Sequence, residues 1–188
     1  MVKKKLFKGA IYGGIIVFAW CLFSWMVLPW HTKAFKKFQD EESVAEAIKN
    51  NASESGVYIL PNAYKYDSNT PSDQLDKGMM LMQNGPTLFA SIQVNGMGQK
   101  TVKPFLVSLI IQILGAGIVS WMLLQTKGLK TKQRVRFVTL YGLAIGILGV
   151  LPAWNWWSLS LGYVSCIFFD LVIGWFLAGL AIAKVCKP

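Results

Sequence analysis

Four apolar stretches are the feature that most constrains the fold of this chain. They cover residues 9–30, 104–125, 137–157 and 158–183. Each is close to or above the ~20 residues that a helix, rising about 1.5 Å per residue, needs to cross roughly 30 Å of hydrocarbon. Because backbone polar groups in lipid must find partners within their own segment, each stretch predicts a transmembrane helix. The predicted fold class is therefore a four-transmembrane-helix bundle.

Composition supports a membrane protein over a soluble domain. Hydrophobic residues make up 54% of the chain and charged residues 15%, against about 25% charged residues in soluble domains. The first stretch is too long for the apolar region of a signal peptide, which has ~7–15 residues. Bulky residues at Leu28, Pro29 and Trp30 replace the small residues of a cleavage site. We therefore expect an uncleaved anchor.

Net positive charge lies on one side of the apolar stretches only, because the eight lysines of residues 31–103 are balanced by eight acids. The basic residues on that side are Lys3, Lys4, Lys5 and Lys8 in residues 1–8, Lys127, Lys130, Lys132, Arg134 and Arg136 in residues 126–136, and Lys184 and Lys187 in residues 184–188. The positive-inside rule predicts that these segments, and thus both termini, are cytoplasmic. This accounts for the net charge of +10 better than nucleic-acid binding does, because no basic patch with interleaved aromatics is present. The expected setting is the lipid bilayer of a bacterial cytoplasmic membrane.

The segment 31–103 predicts a small extracytoplasmic α+β domain inserted between transmembrane helices 1 and 2. Asp40, Glu41 and Glu42 precede an apolar stripe and predict a helix to about Asn51. Residues 57–60 and 87–94 are typical of short strands. A domain of about 70 residues with few large apolar side chains is marginal alone. We therefore expect it to pack on the membrane surface, on the hairpin at residues 154–157, or on a partner.

Asp170 is the most informative single residue, because an acid inside a predicted membrane span is costly and commonly functional. Ser24 and Gln112 lie at a similar depth from the outer ends of their own spans. These three side chains are predicted to form an intramembrane polar layer. Such a layer could handle protons or ions or bind a ligand; the alternative is an interhelical hydrogen bond that fixes packing.

Further candidates lie at the predicted outer interface. His31 is the only histidine and follows Trp30, while the hairpin between spans three and four contributes Trp154, Trp156 and Trp157. Tryptophans at this depth are typical interfacial anchors. A metal site usually needs three or four ligands, and the outer segment offers no cysteine and no second histidine. We therefore predict no metal and no cofactor.

Small residues recur at four-residue spacing in three spans and predict close helix approach: Gly9 and Gly13, Gly142 and Gly146, and Gly174 and Ala178. This spacing is equally consistent with a compact bundle and with contacts between copies of the chain. The sequence contains no Gly-x-Ser-x-Gly, no His-Glu-x-x-His and no phosphate-binding glycine loop. No catalytic residue is therefore predicted.

Three functional hypotheses follow from these observations. The leading one is a non-enzymatic interaction, assembly or accessory role, in which the outer domain packs on the membrane, a membrane-protein partner or a second copy. The alternative is a small transporter or channel-like subunit that uses the polar layer around Asp170. The third is a membrane enzyme with an outer-face site near His31 and the outer tryptophans.

Overall fold

The computed structural model describes residues 2–98 and 102–187 and divides them into two compact units. Unit 1 contains residues 2–36 and 102–187, and unit 2 contains residues 37–98. The helices are α1 (Val2–Val27), α2 (Trp30–Ala34), α3 (Glu41–Asn51), α4 (Ser72–Asn84), α5 (Lys103–Gln125), α6 (Thr131–Ile145), α7 (Leu151–Trp157) and α8 (Leu161–Val185). The strands are β1 (Gly56–Leu60) and β2 (Leu88–Ile92). A 3₁₀ turn covers Ala63–Lys65, and a π-helical segment, Gly146–Val150, joins α6 to α7.

Four helices in unit 1 are long and apolar enough to cross a membrane. They are α1, α5, the continuous segment Thr131–Trp157 and α8, with 26, 23, 27 and 25 residues. At a rise of about 1.5 Å per residue, each exceeds the ~30 Å thickness of the hydrocarbon core. The prediction of four helices of this length and composition is confirmed, and the chain fits an integral membrane protein.

The core of unit 1 is organised around α8, which packs against both α1 and α6, while α5 packs against α1. Of the four long helices, α8 is the most buried. The fully enclosed apolar side chains include Val17, Val119, Val138, Trp175 and Ile182. Large apolar side chains elsewhere on α5 point outward, as expected of surfaces in contact with lipid.

Glycines stand where the helices approach most closely. A Cβ placed on Gly142 would lie 2.6 Å from Cβ of Trp175 and 2.8 Å from the carbonyl oxygen of Leu171. A Cβ on Gly14 would lie 2.5 Å from Cα of Ile113. Neither position has room for any side chain, so these contacts set the α6–α8 and α1–α5 distances.

Unit 2 contains an antiparallel pair of strands and two short helices. Leu60 pairs with Leu88 and Gly56 with Ile92 at the two ends of the β1–β2 ladder. Asp40 begins α3, because its carboxylate accepts hydrogen bonds from the backbone N–H groups of Glu42 and Ser43 at 3.1 and 3.0 Å. The predicted helix to Asn51 and the two predicted strands are thus present, the second strand being shorter than residues 87–94.

Candidate functional site

A buried polar cluster connects α1, α2 and α8 within unit 1. Nε2 of His31 lies 2.8 Å from Oδ2 of Asp170 and 3.1 Å from Oγ of Ser24. The indole N–H of Trp30 donates a hydrogen bond to Oγ of Ser24 at 2.8 Å. Ser24 and His31 are 0% and 1% exposed, and Asp170 is 6% exposed. We call these four residues the polar cluster.

His31 reaches the bundle interior because the chain turns at Pro29. Helix α1 ends at Val27, and Pro29 is the N-cap of the short helix α2, a position where its missing N–H leaves no donor unpaired. The carbonyl of Pro29 accepts hydrogen bonds from the backbone N–H of Lys33 at 3.1 Å and from the hydroxyl of Thr32 at 2.9 Å. Helix α2 packs on α8, which places His31 beside Asp170.

Aromatic rings enclose the imidazole of His31 on two sides. Trp25 stacks on it at 3.9 Å between ring centroids and an interplanar angle of 12°. Trp30 meets it edge-on at 5.8 Å. Phe35 and Tyr163 approach one another at 5.7 Å and connect the chain after α2 to the start of α8. This surrounding excludes water from the polar cluster and strengthens its internal electrostatics.

The cluster can hold one proton in two places. Either Nε2 of His31 carries a proton and donates it to the carboxylate of Asp170, or a protonated Asp170 donates to the lone pair of Nε2. In the described part of the chain, Nδ1 of His31 and Oδ1 of Asp170 are buried and have no hydrogen-bond partner. Each therefore retains free hydrogen-bonding capacity inside the bundle.

The geometry differs from that of a nucleophilic relay. In a Ser-His-Asp triad the acid and the serine contact opposite nitrogens of the imidazole, so that a proton can pass across the ring. Here Ser24 and Asp170 both contact Nε2. Ser24 Oγ also accepts the indole N–H of Trp30, and it is fully buried. The arrangement favours proton sharing or structural bonding over attack on a substrate.

The structure gathers some of the sequence-predicted residues and separates others. Ser24 and Asp170 lie together, linked by His31 and accompanied by Trp30. Gln112 is partly buried on α5, and its side chain has no hydrogen bond to another described residue, so it is not joined to the polar cluster. The remaining interfacial candidates on α7 are Trp154, Trp156 and Trp157, which are 46%, 75% and 37% exposed.

Sequence reasoning did not link His31 to Asp170. It placed His31 at the outer interface and evaluated Asp170 without a cationic or imidazole partner. The available signal was Pro29, which lies between α1 and α2 and allows the chain to turn there. A turn alone does not specify which helix receives the imidazole, because that depends on the packing of α2 against α8.

The described residues contain no group of three or more His, Cys, Asp or Glu side chains that could hold a metal ion. The three cysteines, Cys21, Cys166 and Cys186, are all free thiols. The polar cluster itself offers one imidazole, one carboxylate and one hydroxyl, which is a donor set suited to a proton or a small polar ligand.

Four long apolar helices, with a buried polar cluster among them, are typical of a polytopic integral membrane protein. Neither protein-family models, nor curated proteins, nor solved structures gave a match to this chain.

Proposed function

We propose that this chain is a polytopic protein of a bacterial cytoplasmic membrane with a non-catalytic interaction, assembly or accessory role. In this proposal unit 2 lies outside the membrane, the termini are cytoplasmic, and unit 2 binds a membrane-protein partner or a second copy. The observation that carries the proposal is how little apolar surface unit 2 buries by itself.

Unit 2 has almost no core of its own. Ala52 and Pro61 are the only buried apolar side chains among the described residues of this unit. Helix α3 contains no buried residue, and the only buried residue of α4 is Gly78. Large side chains remain exposed instead, and they include Phe38, Val57, Leu60, Tyr64, Met79, Met80, Met82, Leu88, Phe89 and Met97.

This exposure bears on stability. A two-stranded hairpin is marginal in water without a third strand or a packed helix. Burial of apolar surface stabilises a fold by about 25 cal/mol per Å². Covering the exposed methionine and leucine side chains would therefore stabilise unit 2 further. Methionine-rich surfaces are also adaptable binding surfaces. A partner that covers Val57 and the methionines of α4 would supply the missing burial.

Hydrogen–deuterium exchange on the full-length protein tests this proposal. We expect the amides of β1 and β2 to exchange at least tenfold more slowly in source membranes than in purified protein in detergent. A partner present only in the membranes would cause this difference. Equally fast exchange in both preparations would show that no partner is bound. Equally slow exchange would exclude a membrane-protein partner that is lost on purification, and would leave only a second copy, which the mass of the purified protein in detergent would reveal.

A matched pair of variants sharpens the test. Val57→Lys places a charge on an apolar position that is 68% exposed, and Ser68→Lys places the same charge in the polar loop before Asn69. The first variant should lose the additional protection in source membranes, because a desolvated lysine is costly in an apolar interface. The second should retain it.

The hydrogen bond between His31 and Asp170 supports a second candidate function. An intramembrane acid paired with an imidazole is a recurrent element of proton and ion pathways. Both residues keep a buried atom without a partner in the described part of the chain. The second candidate is a small transporter or channel-like subunit in which the polar cluster carries a proton.

Flux measurements in liposomes separate the two candidates. If the polar cluster carries a proton, liposomes that contain the protein should show a pH-dependent proton flux. Asp170→Asn should abolish this flux, because an amide cannot take up or release the proton. Ser165→Ala, on the same helix, is the matched control and should leave flux unchanged. Equal flux in wild type and Asp170→Asn would exclude the second candidate.

A further inference from the structure

Segments far apart in sequence meet at one end of unit 1. The side chain of Lys5 donates a hydrogen bond to the carbonyl of Lys187, and Sγ of Cys186 lies 3.8 Å from the carbonyl oxygen of Lys5. Nη1 of Arg134 donates to the carbonyl of Ala183 at 3.4 Å. The start of α1, the start of α6 and the end of α8 are therefore adjacent.

This end of the bundle has a high, uncompensated positive charge. Its basic residues are Lys3, Lys4, Lys5, Lys8, Lys127, Lys130, Lys132, Arg134, Arg136, Lys184 and Lys187, which we call the basic end. Asp170 is the only acid in residues 102–187, and it lies on α8 thirteen residues, or about 20 Å, before Ala183. In the described part of the chain, no residue of the basic end forms an ion pair with a carboxylate.

Arg134 holds a fixed position within the basic end. It is 8% exposed and donates to a carbonyl in the last turn of α8, where the helix dipole favours a cation. Lys130, Lys132 and Arg136, on the same segment, are exposed. One buried, hydrogen-bonded guanidinium next to exposed lysines suits a phosphate, because arginine binds it through several N–H donors and lysine adds charge.

We propose that the basic end is a binding site for the phosphodiester headgroup of an anionic phospholipid. The charges lie at the ends of apolar helices or in the residues directly next to them, which is the depth of lipid phosphates when such helices span a bilayer. That depth favours a lipid over a soluble phosphate. The proposal requires membrane insertion of unit 1 and is independent of the role proposed for unit 2.

Native mass spectrometry of the full-length protein in detergent tests the proposal. The protein is titrated with phosphatidylglycerol and, separately, with phosphatidylcholine of the same acyl chains. We expect preferential retention of phosphatidylglycerol. The triple variant Lys130→Gln, Lys132→Gln and Arg136→Gln should weaken phosphatidylglycerol binding roughly 100-fold, at about fivefold for each cation near the headgroups.

A second triple variant controls for total charge. Lys33→Gln, Lys36→Gln and Lys49→Gln removes three exposed cations outside the basic end and should change affinity less than about twofold. Should the first triple variant fail to fold, Lys132→Gln alone should weaken binding about fivefold. The proposal is overturned by equal weakening in both triple variants, by equal retention of the two lipids, or by glycerol phosphate binding as tightly as the lipid.

Discussion

At the residue scale, the hydrogen bond between His31 and Asp170 is the most consequential contact in the bundle. It joins two ionisable side chains that protein and aromatic rings separate from water. The same contact ties the turn after α1 to α8, so it also fixes where the chain leaves the bundle. A structural hydrogen bond and a proton-carrying site both need this geometry. They differ in their response to Asp170→Asn, because the amide can form a hydrogen bond but cannot take up or release a proton.

Asp170→Ala should lower the free energy of unfolding by about 1–3 kcal/mol, because it removes the carboxylate that is hydrogen-bonded to the buried Nε2 of His31. Asp170→Asn should lose less, since the amide can still hydrogen-bond to Nε2. Thermal unfolding in detergent measures both. Phe169→Leu, at a neighbouring position that is 51% exposed, is the control. Equal stability of Asp170→Ala and wild type would contradict a bonded cluster.

Asp40 makes the stability of α3 depend on pH. The hydroxyl of Ser43, followed by the backbone N–H groups of Ser43 and Glu42, donates to its carboxylate and holds the pKa of Asp40 below its ordinary value. A lowered pKa means that the cap stabilises the helix at neutral pH. This contribution is lost as the pH falls through the folded-state pKa.

Amide exchange in α3, followed from neutral pH to about pH 3, should therefore show declining protection after correction for the intrinsic exchange rate. Asp40→Asn should remove the part of this decline that depends on Asp40, because an amide caps without titrating. Glu46→Gln, at an exposed position within α3, should retain the wild-type response. Identical pH profiles for wild type and Asp40→Asn would contradict the assignment of the cap.

At the scale of elements, glycine contacts set how the helices pack. Gly142 on α6 faces Trp175 and the carbonyl of Leu171 on α8. Gly162, near the start of α8, has no atom within 4 Å of the position of a Cβ. A change of glycine to alanine can therefore be compared at Gly142, where neighbouring atoms leave no room for a Cβ, and at Gly162, where the space is open.

Gly142→Ala should destabilise the bundle by about 1–3 kcal/mol, because the added methyl group forces α6 away from Trp175. Gly162→Ala should be neutral or slightly stabilising, since alanine favours helix and meets no neighbour. Unfolding of both variants in the same detergent gives the comparison. A destabilisation that is equal at the two positions would exclude close packing as its cause.

Local patterns in the sequence predicted most elements. The long apolar stretches predicted α1, α5, the Thr131–Trp157 segment and α8, and the acids at residues 40–42 predicted the start of α3. The sequence did not predict that the helix stops before Pro29, because the apolar stretch continues to Trp30. In the structure α1 ends at Val27 and α2 begins at Trp30. The pairing of His31 with Asp170 spans 139 positions, so only tertiary packing determines it.

At the scale of the whole molecule, unit 1 and unit 2 differ in how they gain stability. Unit 1 has a continuous buried core along α8 and exposes apolar side chains where lipid can cover them. Unit 2 also exposes apolar side chains, but its sequence is too polar to be buried in lipid. Contact with lipid tails therefore does not explain their exposure. We explain them by a partner on the outer face of the membrane, and this explanation depends on the orientation of the chain.

Cysteine labelling in intact cells tests that orientation most directly. In a background with Cys21, Cys166 and Cys186 replaced by alanine, single cysteines are introduced as Ser68→Cys in unit 2 and Lys132→Cys at the basic end. The account predicts that a membrane-impermeant maleimide labels position 68 in intact cells and labels position 132 only after permeabilisation. Labelling of position 132 but not 68 in intact cells, or equal labelling of both, would contradict it.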